Sequence, residues 1–241
     1  MKKIVFVTLA FMLVFSNAMA QKNTPKKSVG KPLTVSVDGQ SSAPAKSVNN
    51  EKIIELPKVE EGMEMPLREA FMNRRTVRDL TEEDLPVEVL SNLLWSAYGF
   101  NRPKELKRVV PSAVNVQEFD VYVFMKEGIY LYDANKNILR LVADGDHRAE
   151  ISKQKHFAIA PVSIVLVANY DRMATVFKEE SDRDFYAAVD CGYISQNIYL
   201  FCAASKLGTV ACGGIDRDTI QKILNIKNGR ALLAHPVGMI R

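Results

Sequence analysis

The stretch FDVYVFMKEGIYLYDANKNILRL (Phe119–Leu141) decides the fold class of this chain. It holds three short apolar runs, Phe119–Met125, Ile129–Asp133 and Ile138–Leu141, rich in aromatic and β-branched residues. Lys-Glu-Gly and Ala-Asn-Lys-Asn separate them, and both have good turn chemistry, which predicts an antiparallel meander. Downstream, PVSIVLVAN (161–169) is nearly all Val, Ile and Leu, the composition of a central strand buried on both faces.

Helical patterns stand on either side. PLREAFMNRR (66–75) has apolar residues at 67, 70 and 71, Pro66 in its first turn and two arginines at its end. LPVEVLSNLLWSAYG (85–99) carries the stripe Val87, Leu90, Leu93, Leu94 and Ala97, with Asp84 as candidate N-cap and Gly99 past the end. The longest pattern, residues 183–206, turns Phe185, Val189, Ile194, Ile198, Phe201 and Cys202 inward and is closed by Gly208. TVACGGI (209–215) reads as a strand running into two glycines, Asp216 as the cap of a short helix through Leu224, and LLAHPVGMI (232–240) as a last strand. Helices and strands mix without a βαβ rhythm, so the expected class is α+β with a largely antiparallel sheet flanked by helices.

The N-terminus reads differently. In MKKIVFVTLAFMLVFSNAMAQ two lysines precede an apolar run, and Ala18-Met19-Ala20 supplies a small-x-small cleavage pattern. This predicts a signal peptide over 1–20, cleavage near Ala20 and export to the periplasm. No cysteine follows the run and no second apolar span occurs, so neither a lipid anchor nor integral membrane association is expected. Residues 21–50 are rich in Lys, Ser, Pro, Gly and Asn and poor in large apolar groups, the composition of a disordered linker, which leaves one domain over 51–241. Residues 1–50 hold seven of the 32 basic and one of the 28 acidic residues, so 51–241 is net −2 although the whole chain is +4. A nucleic-acid surface is therefore not expected. Cys191, Cys202 and Cys212, odd in number and clustered, read as buried thiols; Cys191 and Cys202 are too far apart on one helix to pair, and a Cys202–Cys212 bridge stays open.

His147, His156 and His235 lack metal-ligand spacing, and no G-x-S-x-G elbow or glycine-rich phosphate loop occurs. Three features could carry chemistry. RRTVR supplies Arg74, Arg75, Thr76 and Arg78, whose guanidiniums suit phosphate. Asn115 and Gln117 place two uncharged amides behind a Pro-Ser-Ala turn, where a planar partner with donors and acceptors would suit them. Gly213 and Gly214 lie at a strand end and let backbone approach something closely. Taken singly, each also reads as a solvated basic turn, a surface turn or a β-bulge.

In this order, RRTVRDL, LSNLLWSAYGFNR, PSAVNVQEFDVYVF, GIYLYD, DCGYISQNIYLFCAASKLGTVACGGID and HPVGMIR together resemble the nitroreductase superfamily of FMN enzymes. The likeness runs from about Ile54 to Arg241 and is greatest to the azoline-oxidase-like, thiazole- and oxazole-forming dehydrogenase branch. It implies a homodimer with FMN at the subunit interface. Arg74, Arg75, Thr76 and Arg78 would hold the phosphate and ribityl chain; Asn115 would bond the pyrimidine side of the ring, with Gln117 nearby; Gly213 and Gly214 would bring backbone toward N5. No side chain is singled out as catalytic, because the chemistry belongs to flavin N5, passing electrons between a donor and a small organic acceptor or substrate. The family default donor is NAD(P)H, which is scarce outside the cytoplasm. The chain departs from the family pattern at its end, where relatives often carry a basic tail and a Gly-Tyr-Pro-Lys and this chain has Gly238-Met239-Ile240-Arg241. The other reading is an exported flavin-binding or partner protein that keeps the fold without turnover.

Overall fold

The structure, a computed structural model, describes residues 52–59 and 65–241. The expected signal peptide (1–20) and linker (21–50) lie outside the described residues. In chain order the elements are β1 (Ile53–Glu55), α1 (Leu67–Asn73), α2 (Val87–Tyr98), β2 (Phe100–Arg102), β3 (Lys107–Arg108), β4 (Phe119–Met125), β5 (Gly128–Asp133), β6 (Ile138–Asp144), α3 (His156–Ile159), β7 (Val162–Asn169), α4 (Tyr170–Ala174), α5 (Glu180–Ala204), β8 (Leu207–Thr209), α6 (Arg217–Ile223) and β9 (Gly229–Met239).

The meander forms as β4, β5 and β6, with Tyr122 opposite Leu131 and Tyr132 opposite Leu139. The main sheet has the order β1-β6-β5-β4-β7-β9-β8, and every pairing in it is antiparallel. β7 lies between β4 and β9 and is buried from Val162 to Ala168. Its lack of alternation has a direct cause, because helices cover the sheet on both faces. Ile164 and Leu166 join a cluster with Leu93, Leu94 and Ala97 of α2 and Ile194 and Ile198 of α5. Val165 and Val167 face the other way, into a cluster with Phe157 of α3 and Ile220 of α6. A strand with apolar contacts on both sides needs apolar residues at every position. Truncating a large side chain here to Ala removes about 2–5 kcal/mol.

Several local expectations are corrected. Asp84 does not cap α2: Pro86 stands at the N-cap with no side-chain cap bond, and its carbonyl accepts from Leu90 N at 3.0 Å. Proline fixes the entry dihedral itself, so no capping side chain is needed to start the helix. Gly208 does not close α5; Lys206 takes the left-handed turn at φ 57°, and Gly208 lies within β8. A Cβ on Gly208 would come within 2.5 Å of Leu80 Cδ2, so that glycine serves a close approach. The strand expected over 209–215 is shorter: β8 ends at Thr209, and the chain returns to β9 only at Cys212, which bridges Ala234. Finally, Phe185 and Val189 point outward from α5, opposite the buried Ile194, Ile198, Phe201 and Cys202. The helix has two apolar stripes, and a single inward face drawn from sequence merges them. All three cysteines are buried free thiols.

Candidate functional site

The Arg-Arg-Thr-x-Arg segment leaves α1 at Arg74, whose N–H still bonds Ala70 O at 2.9 Å. It then runs extended beside the sheet's edge: Val77 N donates to Thr209 O at 2.9 Å and Thr81 N to Met239 O at 2.9 Å, while Leu80 bridges Ile240. Arg241 N closes the same seam on Asp79 O at 3.2 Å, and its guanidinium lies 3.8 Å from the Asp79 carboxylate. Extended geometry alternates the side chains, which sends neighbouring arginines in different directions.

Tyr199 of α5 is the post that holds this segment. Its hydroxyl lies 3.0 Å from Thr76 Oγ1 and accepts from Ala211 N at 2.9 Å, while Arg74 stacks over its ring with Cζ 5.2 Å from the centroid. Arg75 and Lys206 line a cleft of about 200 Å³ beside Tyr199. Arg78 lies near Cys212 and His156, whose Sγ and Nε2 are 3.6 Å apart. Burial, with the Arg78 charge adding, pushes the His156 pKa down; burial pushes the Cys212 thiol up against the pull of Arg78. Among the described residues, no carboxylate or carbonyl pairs with the Arg75 or Arg78 guanidinium. By contrast Arg108, Arg148, Arg172 and Arg217 are all engaged by protein groups.

Gly213 and Gly214 follow Cys212 directly, so the bridge to Ala234 fixes where they emerge. Gly213 O accepts from Arg217 at 2.9 Å and Gly214 O from Ser152 Oγ at 2.9 Å. Neither has a left-handed φ, and a Cβ on either would meet nothing closer than 3.7 Å. The protomer's own packing therefore does not require glycine at these exposed positions. An open cavity of about 590 Å³ lies against Gly214, with Ser152, Gln154 and Thr219 in its wall.

The amide turn is elsewhere on the protomer. Val114, Asn115 and Gln117 all adopt left-handed backbone, at φ 52°, 58° and 53°. For non-glycine residues this costs about 1 kcal/mol or more each, and most for a β-branched side chain. The turn is held by Ala113 N donating to Asp190 Oδ2 at 2.7 Å, Asn115 N to Ser112 O at 2.9 Å and Gln117 N to Ser112 Oγ at 3.0 Å. Arg172 reaches from α4 to Gln117 O at 2.9 Å and also pairs with Asp120. The Gln117 amide is fully engaged within the protein, by Arg108, Leu106 O and Asn115, whereas Asn115 is exposed. Asp190 and Tyr199, which anchor the turn and the arginine segment, are nine residues apart on α5, about 13 Å of helix rise. One protomer thus brings Arg74, Thr76 and Arg78 toward the segment that carries Gly213 and Gly214, turns Arg75 into the adjoining cleft, and holds Asn115 and Gln117 on another part of α5.

Tyr199, Arg108 and the acid pair Glu118–Asp190 went unread in the sequence. Glu118 is wholly buried beside Asp190, and its carboxyl finds no hydrogen-bond donor among the described residues other than the Asp190 carboxyl, with which it can share a proton. Burial first, then the Asp190 charge, pushes its pKa up to about 7, and burial raises Asp190 as well. Tyr199 lies in the QNIYL run, but helical spacing alone gives no reason to single it out.

The profile of the family described as Nitroreductase family matches residues 71–239. A protein of Methanocaldococcus jannaschii named as a nitroreductase is 33% identical over 196 residues, covering 77% of this chain and 95% of that one. The crystal structure of a Ralstonia eutropha protein, also named as a nitroreductase, superposes with a TM-score of 0.74 at 30% identity, over 85% of this chain and 97% of that one. The NADPH:FMN oxidoreductase of Vibrio harveyi, solved with NAD+, shares the fold at a TM-score of 0.54 and 17% identity, over 72% of this chain and 68% of that one.

Proposed function

This chain belongs to the nitroreductase family, and from that premise we propose that it is an FMN-dependent oxidoreductase, a homodimer with the flavin at the subunit interface. One observation carries the reading: the Arg78 guanidinium finds no protein partner among the described residues and lies by Cys212, which leads directly into two glycines that internal packing does not demand. A dianionic phosphate and a flat ring would supply both missing partners.

Arg74 and Arg78 bind the phosphate from one side of the extended segment and Arg75 reaches it from the adjoining cleft, with Thr76 fixed for the ribityl chain by its bond to Tyr199. Gly213 and Gly214 keep side chains off the ring and leave backbone free to approach it. Asn115 contributes a hydrogen bond at the ring edge. Phe185, Val189 and Tyr193 form an exposed apolar stripe along α5, with Phe71 and Met72 exposed on α1, the kind of surface a second copy covers. Bound FMN supplies the redox step by hydride exchange at N5. NAD(P)H is the donor to test first. Export to the periplasm, expected from residues 1–20, would separate the protein from that pool and favour oxidation of an exported substrate. Among the described residues no helix is long and apolar enough to cross a membrane.

Replacing both Arg75 and Arg78 with Ala tests the phosphate assignment. Two lost charge-assisted contacts should weaken FMN binding about 100-fold. Arg230→Ala, which removes an exposed pair with Asp184 and a contact to Tyr170 away from the arginine segment, should leave it unchanged. Equal retention of flavin by both variants would sink the assignment.

A further inference from the structure

Arg108 is held from several sides at the amide turn. Its Cζ lies 3.8 Å from the Tyr98 ring centroid and 4.3 Å from that of Phe100, and Nη1 donates to Tyr98 O at 2.6 Å. Its remaining contact is Nε donating to Gln117 Oε1 at 2.8 Å. Gln117 Nε2 donates to Leu106 O at 2.7 Å and to Asn115 Oδ1 at 3.3 Å. The chemistry of the two ends fixes the direction of this chain. An arginine Nε only donates, so the Gln117 atom facing it must be oxygen; the Leu106 carbonyl only accepts, so the atom facing it must be nitrogen. The second proton on Gln117 Nε2 then calls for an acceptor, and the reversed Asn115 amide would oppose two donors. Asn115 Oδ1 is therefore turned inward, and among the described residues nothing accepts from its Nδ2.

We propose that Arg108 is a positioning residue, which through Gln117 fixes the exposed Asn115 carboxamide as a hydrogen-bond donor toward its ligand. The inference rests on the FMN reading above and sharpens it: the ring atom that meets Asn115 is an acceptor, a carbonyl oxygen or N1, and not the ring N–H. A donor there stabilises the reduced ring, whose added negative charge lies on that edge, more than the oxidised one. The left-handed backbone at Leu106, Asn115 and Gln117 belongs to the same device, since each of these three residues contributes an atom to the relay.

The test compares wild-type protein with Gln117→Glu, Asn115→Ala and the double variant, each checked for folding by its melting temperature, measuring FMN affinity and the midpoint potential of the bound flavin. Glutamate at 117 still accepts from Arg108 but cannot donate to Asn115, so the Asn115 amide reverses. Gln117→Glu should weaken FMN binding about tenfold, the loss of one such contact, and lower the potential. In the Asn115→Ala background it should add nothing further. Additive losses, or wild-type affinity and potential in Gln117→Glu, would overturn the relay. A flavin-free readout separates this from the cofactor assignment: in 15N spectra of the wild-type protein without FMN, the Gln117 side-chain NH2 should be protected from solvent exchange and that of Asn115 should exchange freely. The reverse pattern overturns the relay, whereas failure of the wild-type protein to bind FMN, with the amides as expected, overturns the cofactor reading alone.

Discussion

Glu118 is an acid buried in the core beside a second acid. It is wholly buried, and the groups facing it are the Asp190 carboxyl and Cys191 thiol of α5, the Tyr98 hydroxyl of α2 and the Arg172 guanidinium of α4. Its folded pKa, raised to about 7, exceeds its value in the unfolded chain, so the native state holds the proton more tightly. Stability from this group is therefore full at about pH 4 and falls as pH rises toward 7, by an amount on the order of 2 kcal/mol. Glu118→Gln, which keeps the shape and cannot ionise, should flatten that slope and be more stable than wild type at pH 8, as read from denaturant midpoints. Identical slopes in the two proteins would contradict the buried-acid account. The arginines and glycines were legible in sequence as residue types that suit phosphate and close approach. Glu118, Asp190, Arg108 and Tyr199 were not, because each matters through a partner between nine and 123 positions away along the chain, which no local pattern encodes.

α5 shows what an element's pattern conceals. Its inward stripe packs on α2 and the sheet, while Phe185, 62% exposed, and Tyr193, 45% exposed, stand on the opposite side. Twenty-five residues with apolar groups on two faces make a helix that can serve a core and an interface together. Phe185→Lys with Tyr193→Lys should leave the fold intact and weaken dimerisation at least about 100-fold, measured by sedimentation. A dimer of unchanged affinity would place the interface on another surface. The strands were the most legible elements, since turn chemistry and β-branched runs are local. β1 and the β2–β3 hairpin leave no signal in the sequence because runs of two or three residues carry no periodicity, and β8 is shorter than its residue pattern because the chain leaves the ladder between Thr209 and Cys212.

At the scale of the molecule, class and layer order followed from the meander and the double-sided β7, and the family match agrees with both. The site itself could be read only as three separate motifs. One protomer joins parts of two of them and holds the amide turn on a different anchor, Asp190 rather than Tyr199, about 13 Å of rise away on α5, an attachment that only the packed structure reveals. The central claim is that this divided site is a flavin site. Titration of the purified protein with FMN, followed by flavin absorbance and fluorescence, tests it most directly. The account predicts saturable binding of one FMN per protomer with displaced flavin bands. A folded protein that leaves the flavin spectrum unchanged at all concentrations would contradict it.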